Sequence, residues 1–372
     1  MLDRALWPIY EKVVAGERLS LEDGRVLFET PDLIGAGQLA GIVRAAKNGD
    51  DAYFIINQHI NYCNICALGC DFCAFSAKEG DAHAWVYSVE EIVERARRGV
   101  AIGAREFHVV GGLHPTLPWE YYLDMLRALK AEFPHVHLKG FTAVEIDYFA
   151  RKFRKSYEEV LTELIEAGLN SMPGGGAEIF ADHVHDQICK QKIRWDKWSE
   201  VHRTAHQLGV KSNATMLYGH VESAEDRLDH MLRLRGLQDE TGGFMTFIPL
   251  HFHPENTPKL SHLRHATGQT DLRCIAVGRL MLDNFDHVKA YWTMLGLKLA
   301  QTALHFGADD FDGTVTEERI THFAGADTPQ LLPVEQIVRL IAETGRRPVE
   351  RDTTFDIVRI HDSNAGRDSV QR

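Results

Sequence analysis

Cys63-Asn64-Ile65-Cys66-Ala67-Leu68-Gly69-Cys70-Asp71-Phe72-Cys73 crowds four of the chain's six cysteines into one short stretch. Cys66, Cys70 and Cys73 fall at C-x3-C-x2-C spacing, which lets three thiolates from one loop hold three irons of a 4Fe–4S cluster. The fourth iron is then without a protein ligand, and an open coordination position is where a small molecule can bind and react. Two other readings compete. A structural zinc site would recruit Cys63 as a fourth ligand, although zinc ribbons use two C-x2-C knuckles separated by roughly 15 to 20 residues. A disulfide would need an oxidising compartment, which nothing else in the chain indicates. Cys63 reads as a small buried residue just beyond a core strand, while Cys189 and Cys274 stand alone.

Upstream of the loop, Ala52-Tyr53-Phe54-Ile55-Ile56 is a short apolar run of β-formers, which puts the cysteines at the end of a first strand. Downstream, helix and strand patterns alternate. Ser88, with Glu91 three residues on, caps a helix running to Gly99, and Glu106 to Val110 is a buried strand ending in Gly111-Gly112. A helix over Tyr121 to Phe133 precedes a third strand, Val136 to Phe141. Another, Tyr157 to Ala167 with Gly168 as its stop, precedes a fourth, Leu169 to Met172. The pattern continues with helix Trp195 to Leu208 and strand Ser212 to Tyr218, then helix Ala224 to Asp239 and strand Met245 to Leu250. Helix 271–284 leads to a strand at Val288 to Trp292, and helix 294–306 to an eighth around Asp309 to Asp312. Eight such repeats predict an α/β chain folded as a (β/α)8, TIM-type barrel. Residues 1–50 carry helical periodicity at Leu2, Ala5, Leu6, Ile9 and Tyr10, and again at Leu39, Ile42, Val43 and Ala46, with Gly35 and Gly37 delaying the later helix. We read 1–50 as a helical lead-in, 51–358 as the barrel and 359–372 as a polar tail.

With 372 residues, 44% of them hydrophobic and 25% charged, the chain has a globular composition and enough length for a large core. A formal net charge of −12 argues against a bulk binder of nucleic acid or anionic membrane, but leaves room for a local cationic pocket. No apolar run approaches the roughly 18 residues a bilayer span needs, and Met1 to Ser20 lacks the apolar core of a signal peptide. Together with the cysteine usage, this makes the expected location cytoplasmic.

Barrels of this kind carry their chemistry on the loops that follow strands, and the unusual residues fall there. Val109-Val110-Gly111-Gly112-Leu113-His114-Pro115 ends the second strand in two glycines, whose backbone can approach a ligand closely or simply turn. Pro173-Gly174-Gly175-Gly176-Ala177-Glu178 gives a backbone surface free of side chains, with Glu178 placed to accept hydrogen bonds from ribose hydroxyls. It matches neither the dinucleotide fingerprint nor a phosphate loop. Leu217-Tyr218-Gly219-His220-Val221-Glu222 closes the fifth strand, where Glu222 either faces a ligand or caps the next helix. Arg203, on the preceding helix, could clamp a carboxylate or lie solvated at the surface. Twenty histidines support no metal site by number alone. His251 and His253 would share a strand face if Pro254 let the strand continue, yet a metal there needs further ligands that the sequence does not identify.

The cysteine spacing, with Phe72 just ahead of the last cysteine, resembles the signature of the radical S-adenosylmethionine (SAM) enzymes. That resemblance implies an open iron chelated by the amino and carboxylate groups of SAM, whose one-electron cleavage gives methionine and a 5′-deoxyadenosyl radical. It also implies a methionine-amino contact for Gly111 and Gly112 and an adenine-packing role for the element ending in Glu222. Gly175, Gly176, Glu178 and Arg203 complete the candidate SAM-binding set. A closer likeness, over about residues 50–355, is carried by His137 to Ile146, Pro173 to Phe180, Thr215 to Glu222, Leu237 to Phe244 and Phe247 to Thr257. These runs are similar to those of the aminofutalosine synthases of the futalosine route to menaquinone. The sister dehypoxanthine futalosine cyclase typically has Ser-Pro-Pro-Glu where this chain has Thr142-Ala143-Val144-Glu145, and Gln-Pro where it has His253-Pro254. Cys63 departs from the threonine usual in relatives.

The family resemblance implies a transferase in which the adenosyl radical adds to the enol-ether double bond of 3-[(1-carboxyvinyl)oxy]benzoate. Rearrangement and loss of a carboxylate then yield 6-amino-6-deoxyfutalosine. Such a dicarboxylate aryl enol ether needs cationic or donor groups, for which His220, His253, Arg279 and Lys289 are candidates. An electron donor such as flavodoxin or ferredoxin is implied as partner. A cyclase or another radical enzyme of the same barrel group is the alternative activity, and a structural iron–sulfur or zinc protein the non-enzymatic one.

Overall fold

The structure, a computed structural model, describes residues 1–362. Three helices lead in: α1 (Trp7–Ala15), α2 (Leu21–Glu29) and α3 (Leu33–Asn48). The first barrel strand is broken into β1 (Asp51–Ile55) and β2 (Asn57–Ile60). After β2 come β3 (Glu106–Val109), β4 (His137–Gly140), β5 (Ser171–Met172), β6 (Lys211–Tyr218), β7 (Phe244–His251) and β8 (His287–Val288), each parallel to its neighbour. β9 (Asp310–Gly313) closes the ring, pairing parallel with β1 and meeting the end of β8 through a parallel bridge between Lys289 and Asp310. Eight strand positions therefore surround the axis, the (β/α)8 arrangement the sequence predicts.

The outer layer is formed by α4 (Val89–Ala101), α5 (Trp119–Glu132), α6 (Ala143–Phe153), α7 (Tyr157–Ala167), α8 (Asp182–Ile188), α9 (Trp195–Gln207), α10 (Ala224–Thr241) and α11 (Gly268–Met281). Ser88, Thr142, Ser156 and Ser223 each start a helix with a reciprocal capping box, which sets where a strand-end loop stops and its helix begins. α6 was not expected. It buries charged residues, Glu145 and Asp147, among its apolar ones, so a periodicity of apolar residues alone does not mark its buried face.

Other departures have local causes. Gly35 and Gly37 lie inside α3 rather than before it, because a Cβ at Gly37 would stand 2.6 Å from the Phe306 ring and one at Gly35 2.8 Å from Leu6. Small residues there let α3 pack closely. The expected strand to Trp292 stops at Val288, and the following helix splits into α12 (Trp292–Leu295) and α13 (Leu297–Ala303) at Gly296, whose φ is +76°. After α14 (Ile320–Ala324) and α15 (Val334–Glu343), β10 (Arg347–Arg351) pairs parallel with β1 and β11 (Ile357–Ile360) returns antiparallel. This hairpin includes Arg359 and Ile360 of the expected tail; 363–372 lie outside the described residues. Among the described residues, no helix is long and apolar enough to cross a membrane.

Candidate active site

The segment between β2 and α4 carries the cysteines over the mouth of the barrel. Cys66 N–H donates to the Ala77 carbonyl at 3.0 Å, Ala67 N–H to that of Leu113 at 2.8 Å, and Cys73 N–H to that of Cys70 at 3.1 Å. Cys66, Cys70 and Cys73 all line one cavity of about 320 Å3. Burial pushes the Cys70 thiol up to about 12 and also raises that of Cys73, so these sulfurs favour the protonated form until a bound cation compensates the thiolate. Cys63 is buried outside that cavity, its thiol donating to the Gly112 carbonyl at 3.2 Å. Three thiols without a fourth fit a cluster with one free corner and leave the four-cysteine zinc reading short of a ligand.

The glycines account for the closeness of the walls. A Cβ on Gly112 would lie 2.4 Å from the Ile65 carbonyl oxygen, and one on Gly111 2.7 Å from the Tyr62 ring, so the end of β3 packs directly on the cysteine segment. Gly112 N–H donates to the Cys63 carbonyl at 2.9 Å, and Gly111 N–H to Glu145 Oε1 at 3.2 Å. Across the cavity, a Cβ on Gly174 would stand 2.6 Å from the Asn213 carbonyl oxygen, and Gly176 combines a φ of +91° with contact against Val144. Glu178, itself at φ +44°, is buried and pairs through Oε1 with Lys192. Burial alone would discharge Lys192, but the Glu178 carboxylate beside it keeps the ammonium charged.

Lys289, a sequence candidate, lines the cavity and pairs with Asp312 at 2.5 Å. Other residues at the cavity escaped the sequence reading: Lys139, which lines it, pairs at 2.7 Å with Glu106, both being buried. His59 and His108 stack with ring centroids 4.6 Å apart. Glu145 accepts from Tyr62 Oη at 2.8 Å and Thr142 N–H at 2.7 Å, and burial raises its carboxyl to about 6. The available signal was a charged or imidazole side chain within a short buried strand, as in His59, Glu106 and Lys139.

Five of the other sequence candidates lie outside the cavity lining. Arg203 sits on the outer face of α9, paired with Glu240 at 2.5 Å, so it is a surface group and not a clamp. Arg279 is fully buried, donating to the Gly307 carbonyl at 2.8 Å and pairing with Asp309, which makes it a fastener of the barrel wall. Glu222 accepts from Gly219 N–H at 2.7 Å and His220 N–H at 2.9 Å and pairs with Arg227, while His220 Nε2 lies 3.1 Å from the Leu217 carbonyl. Those contacts shape the turn after β6. His253 is behind Met294, a cavity residue, with Nε2 3.0 Å from its carbonyl.

The chain matches the Radical SAM superfamily over residues 60–234 and the CofH/MqnC C-terminal region over 241–363. It is 50% identical to the aminodeoxyfutalosine synthase of Thermus thermophilus over 97% of this chain and 98% of that one. The Streptomyces coelicolor enzyme of the same name is 47% identical, with 94% and 93% covered. The chain belongs to the aminodeoxyfutalosine synthase family. It is therefore a radical SAM enzyme, of a superfamily that uses a 4Fe–4S cluster and SAM. A 5-amino-6-(D-ribitylamino)uracil–L-tyrosine 4-hydroxyphenyl transferase from Methanopyrus kandleri is similar at a lower 41%, over 84% of this chain and 86% of its own. The fold is shared with methylornithine synthase (TM-score 0.72, 18% identity, 91% and 97% covered). It is shared too with the hydrogenase maturase HydG of Carboxydothermus hydrogenoformans (TM-score 0.72, 16% identity, 94% and 80% covered).

Proposed function

We propose that this chain joins the adenosyl group of SAM to 3-[(1-carboxyvinyl)oxy]benzoate, giving 6-amino-6-deoxyfutalosine for menaquinone biosynthesis. The observation that carries the reading is one cavity lined by Cys66, Cys70 and Cys73, by both glycine elements, and by Lys139 and Lys289. In this reading the three cysteines hold the cluster, which when bound supplies the electron that cleaves the sulfonium. Gly111, Gly112, Gly175 and Gly176 form the backbone wall against SAM, and Glu178, anchored by Lys192 through Oε1, offers Oε2 to the ribose hydroxyls. An ammonium has three donors, so Lys139 and Lys289, each using one on Glu106 or Asp312, retain others for the two substrate carboxylates. Lys289 keeps the role expected of it from sequence, and Lys139 takes the place of Arg279, His220 and His253. Leu217, Ile248, Leu250 and Met294 line the same space and keep water from a reactive carbon radical. The enzyme would work in a reducing cytoplasm with flavodoxin or ferredoxin as electron donor.

The test is anaerobic incubation of the cluster-loaded protein with SAM, a reductant and the enolpyruvyl benzoate, followed by mass spectrometry. Formation of the adenosyl adduct is the expected result. Methionine release without the adduct would assign the chain to another radical reaction, and no methionine release would overturn the catalytic reading.

A further inference from the structure

We propose that the segment after β7 holds a divalent metal ion through His253 Nδ1, a Glu255 carboxylate oxygen and His265 Nε2. One ligand atom from each of these residues lies within 4.8 Å of the others. Hydrogen-bond partners settle which ring nitrogens carry protons. His253 Nε2 stands 3.0 Å from the Met294 carbonyl, which can only accept, so the proton is on Nε2 and Nδ1 bears a lone pair. That Nδ1 is buried without a hydrogen-bond partner and lies 4.0 Å from Glu255 Oε2. Asp271 accepts from Tyr218 Oη at 2.8 Å and faces His251 Nδ1 at 2.7 Å, so His251 is protonated on Nδ1 and turns a bare Nε2 towards His265. His265 Nδ1, 3.2 Å away, must then be the donor. Its Nε2 meets the Glu255 carboxylate, which can only accept, so the proton between them is the one a metal ion would displace.

The unpartnered Nδ1 of His253, the Glu255 carboxylate and His265 Nε2 thus converge, and a metal ion there would satisfy His253 Nδ1 and replace the proton between His265 and Glu255. Two imidazoles and one carboxylate suit zinc or ferrous iron, whereas calcium and magnesium prefer all-oxygen sets. The Met294 carbonyl behind His253, and the Asp271–His251 pair behind His265, are the outer contacts that orient metal-bound histidines. Glu255 and His265 remain 43% and 45% exposed, which leaves an entry path and room for water to complete the coordination. Between the ligands, Lys259 pairs with the Asp71 carboxylate at 2.8 Å, and its N–H donates to the Asp71 carbonyl at 3.2 Å. A bound ion would therefore fasten this segment against the cysteine loop.

Zinc chloride titrated calorimetrically into anaerobic, cluster-loaded protein, with zinc measured after gel filtration, is the test. One zinc per chain should bind in addition to the cluster iron. Glu255→Gln and His265→Gln should each weaken binding at least tenfold, and Asp271→Asn about 10–100-fold, with circular dichroism unchanged. A Cys66→Ser, Cys70→Ser, Cys73→Ser variant should still bind it, which separates this site from thiol ligation. Failure of the parent protein to retain zinc beyond the cluster, or equal affinity in the Glu255 and His265 variants, would overturn the proposal. The contact would then be an imidazolium–carboxylate pair.

Discussion

Replacing Gly112 by alanine tests why the cysteine loop lies where it does. The new Cβ would meet Ile65 O at 2.4 Å, Ile65 C at 2.8 Å and Asn64 C at 2.9 Å. All three are backbone atoms of the segment leading into Cys66, so no rotamer change relieves the clash. Ordinary contact begins near 3.4 Å, which requires the segment to retreat by about an ångström. That movement breaks the Gly112 N–H to Cys63 carbonyl bond of 2.9 Å. Overpacking costs about 1–3 kcal/mol and a lost neutral hydrogen bond about 0.5–1.5 kcal/mol, so the sum is about 1.5–4.5 kcal/mol. Gly69→Ala, in the same loop but with nothing within 4 Å of the added carbon, is the control. Urea denaturation of the cluster-free protein and iron content after reconstitution are the assays. Gly112→Ala should unfold at lower urea and retain less iron, with Gly69→Ala like the parent. Equal midpoints and equal iron in the two variants would refute the close-approach reasoning.

Burial raises the Glu145 carboxyl from 4.5 to about 6, so the folded state holds its proton more tightly than the unfolded chain. The resulting stability, about 2 kcal/mol, is present below about pH 4.5 and lost as pH rises through about 6. The stability gap between the parent and Glu145→Gln should change by that amount across the window; a gap independent of pH would contradict it. Arg279→Met removes the guanidinium from the buried Asp309 carboxylate, leaving it only His287 and the Val288 N–H, and should cost about 3–5 kcal/mol in chemical unfolding, with KM unchanged in the folded fraction. A raised KM without lost stability would return Arg279 to the substrate site. Arg203→Ala, which removes only a surface pair with Glu240, should leave SAM affinity and unfolding midpoint as they are, and weaker SAM binding by calorimetry would sink that placement.

Strand-then-helix order was readable because buried parallel strands and capped helices leave short-range marks: Ser88 with Glu91, and Ser156 with Gly168 after it, bound helices where expected. β2 escaped because Asn57, Gln58 and His59 are polar yet buried, Asn57 and His59 lining the cavity and Gln58 packing on Gly99 of α4. The strand β10, Arg-Pro-Val-Glu-Arg, escaped because Glu350 and Arg351 are buried by pairing with Arg105 and Asp310, far away in the chain. Arg203 and Arg279 illustrate the converse: a guanidinium's partner is chosen in space, and neither Glu240 nor Asp309 is adjacent in sequence.

By itself, then, the chain determined the three-thiol loop, the glycine turns at strand ends and the repeating αβ order, all of which depend on residues within a few positions of one another. Tertiary structure alone decided which charges face the cavity. Lys139 meets Glu106 and Lys289 meets Asp312 only after the strands assemble. Burial strengthens electrostatic pairing through loss of water, and water is excluded by the assembled barrel rather than by any local stretch.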